Sequence, residues 1–407
     1  MSSATDSADM AFAEDLLMRF LEIDGVTGEE GAIAAAVTEA LKAAGVPASA
    51  IRHDSAHKRI PLPTETGNLI VDLPGTRPGP RLLFSTHLDT VPLCRGARPR
   101  REGDHIVSDG TTALGGDNRT GCAVLVTLAR SLLAQGLPHP PITLLFTVRE
   151  ESGLHGAREL DPADLGGAVM GFNVDGTHAA KLTIGAVGQQ SWEVEIKGRA
   201  AHAGVAPEKG ISAILVASVA LAEAHRGGWF GKVVKPEGRG SSNAGVFGGK
   251  DGKAAGDATN VVTDYVHLLG EARSPDAAFA ARIAEAYREA FARAQAEITD
   301  AEGAQAEMRF EARTAYPPFQ LEEDSPAVLH ARKAAESIGL EPYTISSNGG
   351  LDANWLVKHG VPTVTFGAGQ AEIHTIKEYV DLSEFALGCR MAVALATLAE
   401  SARAPAF

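Results

Sequence analysis

The chain is 407 residues long, 44% hydrophobic and 22% charged, enough for two domains that each bury a core. These proportions exclude a disordered, collagenous, coiled-coil or disulfide-stapled protein. A net charge of −14 argues against nucleic acid as a partner, because phosphate contacts need clustered Lys and Arg. The N-terminal stretch MSSATDSADMAFAEDLLMRF has no basic segment leading into an apolar one, so no secretory signal is expected. Cys94, Cys122 and Cys389 are too few and too far apart for a disulfide framework, and read as buried thiols of a reducing cytosol.

In chain order, the pattern predicts helices over 9–22 and 28–44, the second opened by a capping box between Thr27 and Glu30. Short apolar runs follow, each ending in acids or histidine. Strands are expected at Asn68 to Leu73, Leu82 to Thr86, Ile142 to Val148, Val169 to Val174 and Pro362 to Phe366. Arg119 to Gln135 is a helix stopped by Gly136. Unalternating strands separated by helices predict an α/β fold, with a mostly parallel sheet sandwiched by helices and ligands beyond the carboxyl ends of its strands.

The middle of the chain changes character. Gln190 to Gly198 alternates like a half-exposed strand, and Ile211 to His225 is a helix. Its apolar part, Ile211 to Ala222, is too short to cross a bilayer, so no membrane partner is expected. Strands at Ser241 to Gly248 and Thr259 to Leu269, a helix at Asp276 to Ile298 and a strand at Ala306 to Thr314 complete a β-α-β-β-α-β order. That order is ferredoxin-like, and it is inserted at 187–316 into a catalytic domain of 1–186 and 317–407.

Seven residues carry chemistry: His87 and Asp89 in THLDT, Asp117 in GGDN, Glu150 and Glu151 in REES, Asp175 in NVDG and His374 in EIHT. Each alone has an ordinary reading, as a strand-end histidine, a helix-capping Asp or a solvated Glu pair. Together, two histidines and five carboxylates meet at one rim of the sheet. That many negative charges could not all stay ionised there without divalent cations. Imidazole and carboxylate donors suit zinc, and also cobalt or manganese.

The ordered set resembles the dinuclear zinc metallopeptidases that include peptidase T, carboxypeptidase G-type enzymes, aminoacylases and succinyl-diaminopimelate desuccinylase. The segments GRAAHAG, SSNAGVFGG, ATNVV, NGGLDANWL and HTIKEYV extend the likeness, most closely to the peptidase T-like branch. The resemblance implies that Asp117 bridges two metal ions. His87 and Asp175 would complete one site, and Glu151 and His374 the other. Asp89 would hydrogen-bond His87, and Glu150 would be the general base that activates a metal-bridging water.

The resemblance also implies substrate contacts from His202, Asn260, Arg273, Asn348, Gly349 and Gly350. His202 reads equally as a surface histidine beside a turn, and Arg273 as a salt-bridge partner. Peptidase T has an Arg where this chain has Asn348, and a cation lost there weakens recognition of a charged end. The implied activity is hydrolysis of short peptides by a cytoplasmic aminopeptidase, dimeric through the inserted lid domain. The alternatives are a carboxypeptidase or N-acyl-amino-acid deacylase and, of a different class, a metal-dependent binding protein without turnover.

Overall fold

A computed structural model of the chain describes residues 9–398. Residues 1–8, the first part of the segment read for a signal and the start of the expected catalytic range, and 399–407, its end, lie outside the described residues. The chain divides into two compact units. The first comprises residues up to Gly185, Gln320–Ser347 and Leu351 onwards, and the second comprises Ala186–Phe319 with Asn348–Gly350.

The first unit is built on a nine-stranded sheet. Its middle four strands, in the order Ile142–Thr147, Leu82–His87, Met170–Val174, Thr363–Phe366, are mutually parallel. Antiparallel strands flank them, Leu69–Leu73 on one side and Lys181–Ala186 on the other. Every residue of the four central strands is buried, as expected of strands covered on both faces. One cover is the Gly116–Ala134 helix, packed against Met10–Leu21, Leu382–Thr397 and the Leu82–His87 strand. On another side Ile70, Leu83 and Leu145 pack with Leu160, Leu165, Leu356 and Val361. Asp9 and Asp381 cap their helices by accepting the N–H groups of Phe12 and of Ser383 and Glu384.

Register places the site. His87 lies opposite Thr147, Ser85 opposite Asn173 and Phe366 opposite Val174, so all four parallel strands end at one edge. A small antiparallel sheet not anticipated from the sequence adds the last piece. Its hairpin Gln370–Ala371/Tyr379–Asp381 carries the His374 loop and pairs with His105–Val107.

The second unit is a five-stranded antiparallel sheet in the order Gly231–Lys235, Gly238–Gly248, Tyr265–Ser274, Gly188–Lys197, Glu307–Tyr316. The helices Ala213–Arg226 and Ala277–Glu297 pack on it, burying Trp192, Val194, Ile196, Val266, Leu268, Tyr287 and Phe291. Without the short first strand, the spatial order is that of a ferredoxin-like sheet.

Two local readings differ from the structure. The strand expected at Thr259 to Leu269 runs instead from Tyr265 to Ser274. Gly270 lies in mid-strand opposite Trp192, where a Cβ would stand 2.0 Å from the indole, so only glycine fits there. The second helix starts at Gly31, and the capping box is not formed. Glu30 turns its carboxylate away from its own helix, onto the N–H groups of Gly28 and Arg149.

Candidate metal centre

The strand edge gathers the predicted cluster. His87 ends its strand, Glu150 and Glu151 follow Ile142–Thr147, Asp175 follows Met170–Val174, and Asp117 lies in the first turn of the Gly116–Ala134 element. The backbone there is not helical at Asp117 and Asn118, whose peptide bond is cis, so the regular helix begins at Arg119. Asp117 faces both histidines. Its Oδ1 is 3.1 Å from His87 Nε2, and its Oδ2 is 3.2 Å from His374 Nε2. Glu151 Oε1 stands 3.0 Å from His374 Nε2. His87, Asp117 and Glu151 each offer a ligand atom, all within 4.8 Å of one another. One carboxylate with an oxygen turned to each of two imidazoles, and a second carboxylate beside them, fits divalent-cation binding.

Each of these side chains is held from behind. The Asp89 carboxylate accepts the N–H groups of Glu150 at 3.0 Å and Glu151 at 3.1 Å. His87 Nδ1 lies 3.0 Å from the Asp89 main-chain oxygen and 3.4 Å from Asp89 Oδ1, so the nearer partner of the ring is the carbonyl. Glu378, 2% exposed, accepts the N–H groups of Leu114, Gly115 and Asp117 and so fastens the Asp117 loop. Asn118 Nδ2 donates to Val174 O at 2.7 Å. Gln370 Nε2 donates to Asp175 Oδ1 at 3.0 Å, while its Oε1 accepts from Thr120. The buried Arg119 guanidinium donates to the carbonyls of Phe20, Ile23, Gly25 and Leu88 and lies within electrostatic reach of Asp89 and Glu30.

The electrostatics follow from crowding. Burial, then the charge of Asp117, pushes Glu151 up to about 7 and Asp175 up to about 6. Burial also lifts Glu150 well above the carboxylate range; the His87 charge opposes this, and Glu151, Asp175 and Asp352 add to it. Hydrogen bonds to Asp117 and Glu151 raise His374 to about 10. For Asp117, burial works against the charge, but bonds from both histidines hold it below the ordinary range.

Glu378, Gln370, Asp352, Glu30 and Arg119 were not assigned to the site from the sequence, where Glu30 was read only as a capping residue and Arg119 only as a helix start. Glu378 and Asp352 lie inside the quoted segments HTIKEYV and NGGLDANWL, and their place in those segments was the available signal. Asp352, 1% exposed, accepts from Thr147 Oγ1, and its pKa is pushed up to about 7 by burial.

The remaining predicted residues belong to the second unit. His202 is exposed, bridges antiparallel to Val261, and its Nδ1 accepts the Gly204 N–H at 3.1 Å. Asn260 accepts the Ala203 N–H through its carbonyl, so the two segments lie side by side. Arg273 forms a bidentate pair with Glu271, 2.9 Å at each contact, on its own strand. Asn348–Gly350 count with this unit, and a Cβ on Gly350 would stand 2.5 Å from the Tyr316 ring. That glycine is therefore required by packing. Among the described residues no helix is long and apolar enough to cross a membrane.

A parallel-sheet unit with this donor set at its strand ends, in a chain that also carries a separate antiparallel sheet unit, is the arrangement of a metallo-exopeptidase. The family follows from the chain as a whole: the profile of peptidase family M20/M25/M40 matches residues 83–398, and the chain belongs to that family. It is 35% identical over 330 residues to the uncharacterized protein YqjE of Bacillus subtilis (strain 168), covering 81% of this chain and 84% of that one. Its structure is similar to that of the aminopeptidase PepT from Bacillus cereus ATCC 10987. The TM-score is 0.81 and the identity 32%, with 96% of this chain and 99% of that chain covered. A tripeptidase from Staphylococcus aureus subsp. aureus Mu50 gives a TM-score of 0.84 at 29% identity, covering 96% and 98%.

Proposed function

We propose that the protein is a peptidase T-like aminopeptidase that hydrolyses short peptides with two divalent cations, zinc in the first instance. The observation that carries this reading is Asp117 offering one oxygen toward each histidine, with the Glu150–Glu151 turn beside it. His87 and Asp175 would hold one ion and Glu151 and His374 the other, with Asp117 shared. When bound, such ions polarise the scissile carbonyl and acidify a water molecule.

The chain's own groups do the rest. Glu150 is buried among carboxylates and carries a high proton affinity. That suits a group that takes a proton from the attacking water and returns it to the leaving amine near neutral pH. Asp89 fixes the turn so that Glu150 and Glu151 keep separate tasks. Gln370 occupies one oxygen of Asp175 and leaves the other for an ion.

A carboxypeptidase or deacylase of the same family is the second reading. Asn348 supplies no cation, and the Arg273 fork is already taken by Glu271. A cytoplasmic location is part of the same proposal and rests on the likeness to PepT. The ferredoxin-like second unit supports a homodimer, which sedimentation tests.

The deciding experiment compares free-amine tripeptides with N-acetyl amino acids and N-blocked dipeptides, on zinc-loaded and chelated protein. Tripeptide hydrolysis that is abolished by chelation is expected; turnover undiminished after complete chelation overturns the reading. Glu150→Gln is expected to keep its zinc and lose about 10²–10⁴-fold in kcat, the usual contribution of a general base.

A further inference from the structure

Glu30 is 0% exposed, yet neither the cluster nor its own helix uses it: it gives no cap hydrogen bond to Gly31–Ala43. Its Oε1 accepts the N–H of Gly28 at 2.8 Å and of Arg149 at 3.0 Å, while Oε2 has no partner. A carboxylate buried with one oxygen unsatisfied is unfavourable, and an apolar side chain would serve the helix as well. What it holds is therefore the informative part.

Arg149 has φ +52°, a left-handed conformation that residues with a side chain rarely adopt. It is the residue at which the chain leaves the Ile142–Thr147 strand and turns Glu150 and Glu151 toward His87 and Asp117. Its N–H goes to Glu30, and the next two N–H groups go to Asp89. Three successive donors are thus taken by two buried carboxylates. The Arg149 side chain adds bonds to Thr64, Ser152 and Pro63, and Thr27 Oγ1 lies 2.7 Å from Ser152 Oγ. Removing the Glu30 acceptor would free the first of the three donors and, with it, the orientation of both glutamates.

We propose that Glu30 is a positioning residue for the Arg149–Glu151 turn, setting the geometry in which Glu151 faces the metal site and Glu150 faces substrate. The proposal rests on the metallopeptidase reading above. It differs from a purely structural role in predicting a loss of metal and of kcat in a chain that remains folded.

The test compares the parent with Glu30→Gln and Glu30→Ala. It measures zinc retained per chain after dialysis, kcat and KM on a tripeptide, and the thermal unfolding midpoint. Glu30→Gln keeps an oxygen acceptor at Oε1, so it is expected to retain the parent's zinc and most of its kcat. Glu30→Ala is expected to lose about 10–100-fold in zinc affinity and in kcat at nearly unchanged KM, the usual effect of losing a group that orients a ligand. If Glu30→Ala does not fold, Glu30→Asp, one methylene too short to reach both donors, takes its place with the same expectation. Parent zinc content and kcat in a folded Ala or Asp variant would overturn the proposal, as would a Gln variant as impaired as Ala. If the zinc-loaded parent cleaves no peptide, the functional reading fails, while the zinc measurements still decide the role of Glu30.

Discussion

In the first unit, Glu30, Asp89, Asp117, Asp352 and Glu378 are carboxylates withdrawn from solvent, none more than 6% exposed. In the second unit, Glu193, Glu195, His267, Arg309 and Glu311 share the sheet face away from the helices, and Glu311 and Arg309 are more than half exposed. Both regions contain paired acids and bases at hydrogen-bond distance, but the surroundings give the pairs different weight. In the first, each carboxylate holds backbone N–H groups, an imidazole or, for Asp352, the Thr147 hydroxyl, and has no water to fall back on, so its loss leaves buried donors unpaired. In the second, water replaces either partner at little cost. Proximity alone therefore does not mark a functional group; burial together with donors that water cannot replace does.

The largest effect that would test this contrast comes from Glu378. It touches no predicted ligand side chain, yet it holds the three N–H groups around Asp117. Glu378→Ala is expected to lower metal affinity and kcat by about 10–100-fold, as for other groups that orient a ligand, read by zinc content and tripeptide turnover. A variant with parent values would show that the Asp117 loop keeps its shape unaided.

Metal removal should turn the same acids into a pH-dependent liability. In the metal-stripped protein, Glu30, Glu151 and Asp352 titrate near 7, Asp175 near 6 and His374 near 10, all above their ordinary values. Between about pH 4.5 and 10 the folded chain thus binds more protons than the unfolded one, and stability falls as pH rises. The carboxylate part is lost between about pH 4 and 7 and the His374 part between about 6.5 and 10. Asp117, held below its ordinary range, acts oppositely and costs stability only in acid. The unfolding midpoint of chelated protein should decline steadily from pH 5 to 9, and zinc should flatten that decline by compensating the acids. A chelated protein with a level profile would mean that the acids are hydrated rather than buried.

How much of this the sequence disclosed depends on what the pattern encodes. The parallel strands were legible because full burial on both faces writes unbroken apolar runs such as ITLLF, and His87, the Glu150–Glu151 pair and Asp175 stood out as candidates because each follows or ends such a run. The β-α-β-β-α-β order of the second unit was legible from its alternation. The groups behind the ligands were not: Glu30 and Glu378 accept backbone N–H groups more than 100 residues away in sequence, and no local periodicity records such a bond. Glu30 even imitated a capping box, because spacing alone cannot tell a carboxylate turned to its own helix from one turned to a neighbouring loop. The strand expected at Thr259 to Leu269 leaves out Gly270, Glu271 and Arg273, which belong to the observed strand Tyr265–Ser274: a glycine and two charges interrupt the apolar pattern without interrupting the sheet.

Within the second unit the contrast can be drawn between packing and charge. Gly350→Ala places a methyl 2.5 Å from the Tyr316 ring, which is 5% exposed and has no solvent to swing into. The expected loss is about 1–3 kcal/mol, the usual cost of overpacking, read by denaturant unfolding. Unchanged stability would show that Asn348–Gly350 yields easily, and the glycine would then have to be explained by something other than packing.

The smallest effect should come from the open face. Arg309 pairs with Glu311 two residues along the same strand, and their side chains are 69% and 57% exposed. The pair lies across the sheet from Glu193 and Glu195, so Arg309 also offsets neighbouring acids on that face. Exposed pairs gain little because solvent screens them and two long side chains must be held in one geometry. Arg309→Ala should therefore leave the unfolding midpoint unchanged in physiological salt, and should lower it only at low ionic strength, where the three glutamates Glu193, Glu195 and Glu311 repel across a longer screening distance. A drop that persists in high salt would mean that Arg309 contributes through the packing of its aliphatic stem rather than its charge. The surface would then not be a freely solvated one, and the contrast with the buried carboxylates of the first unit would narrow accordingly.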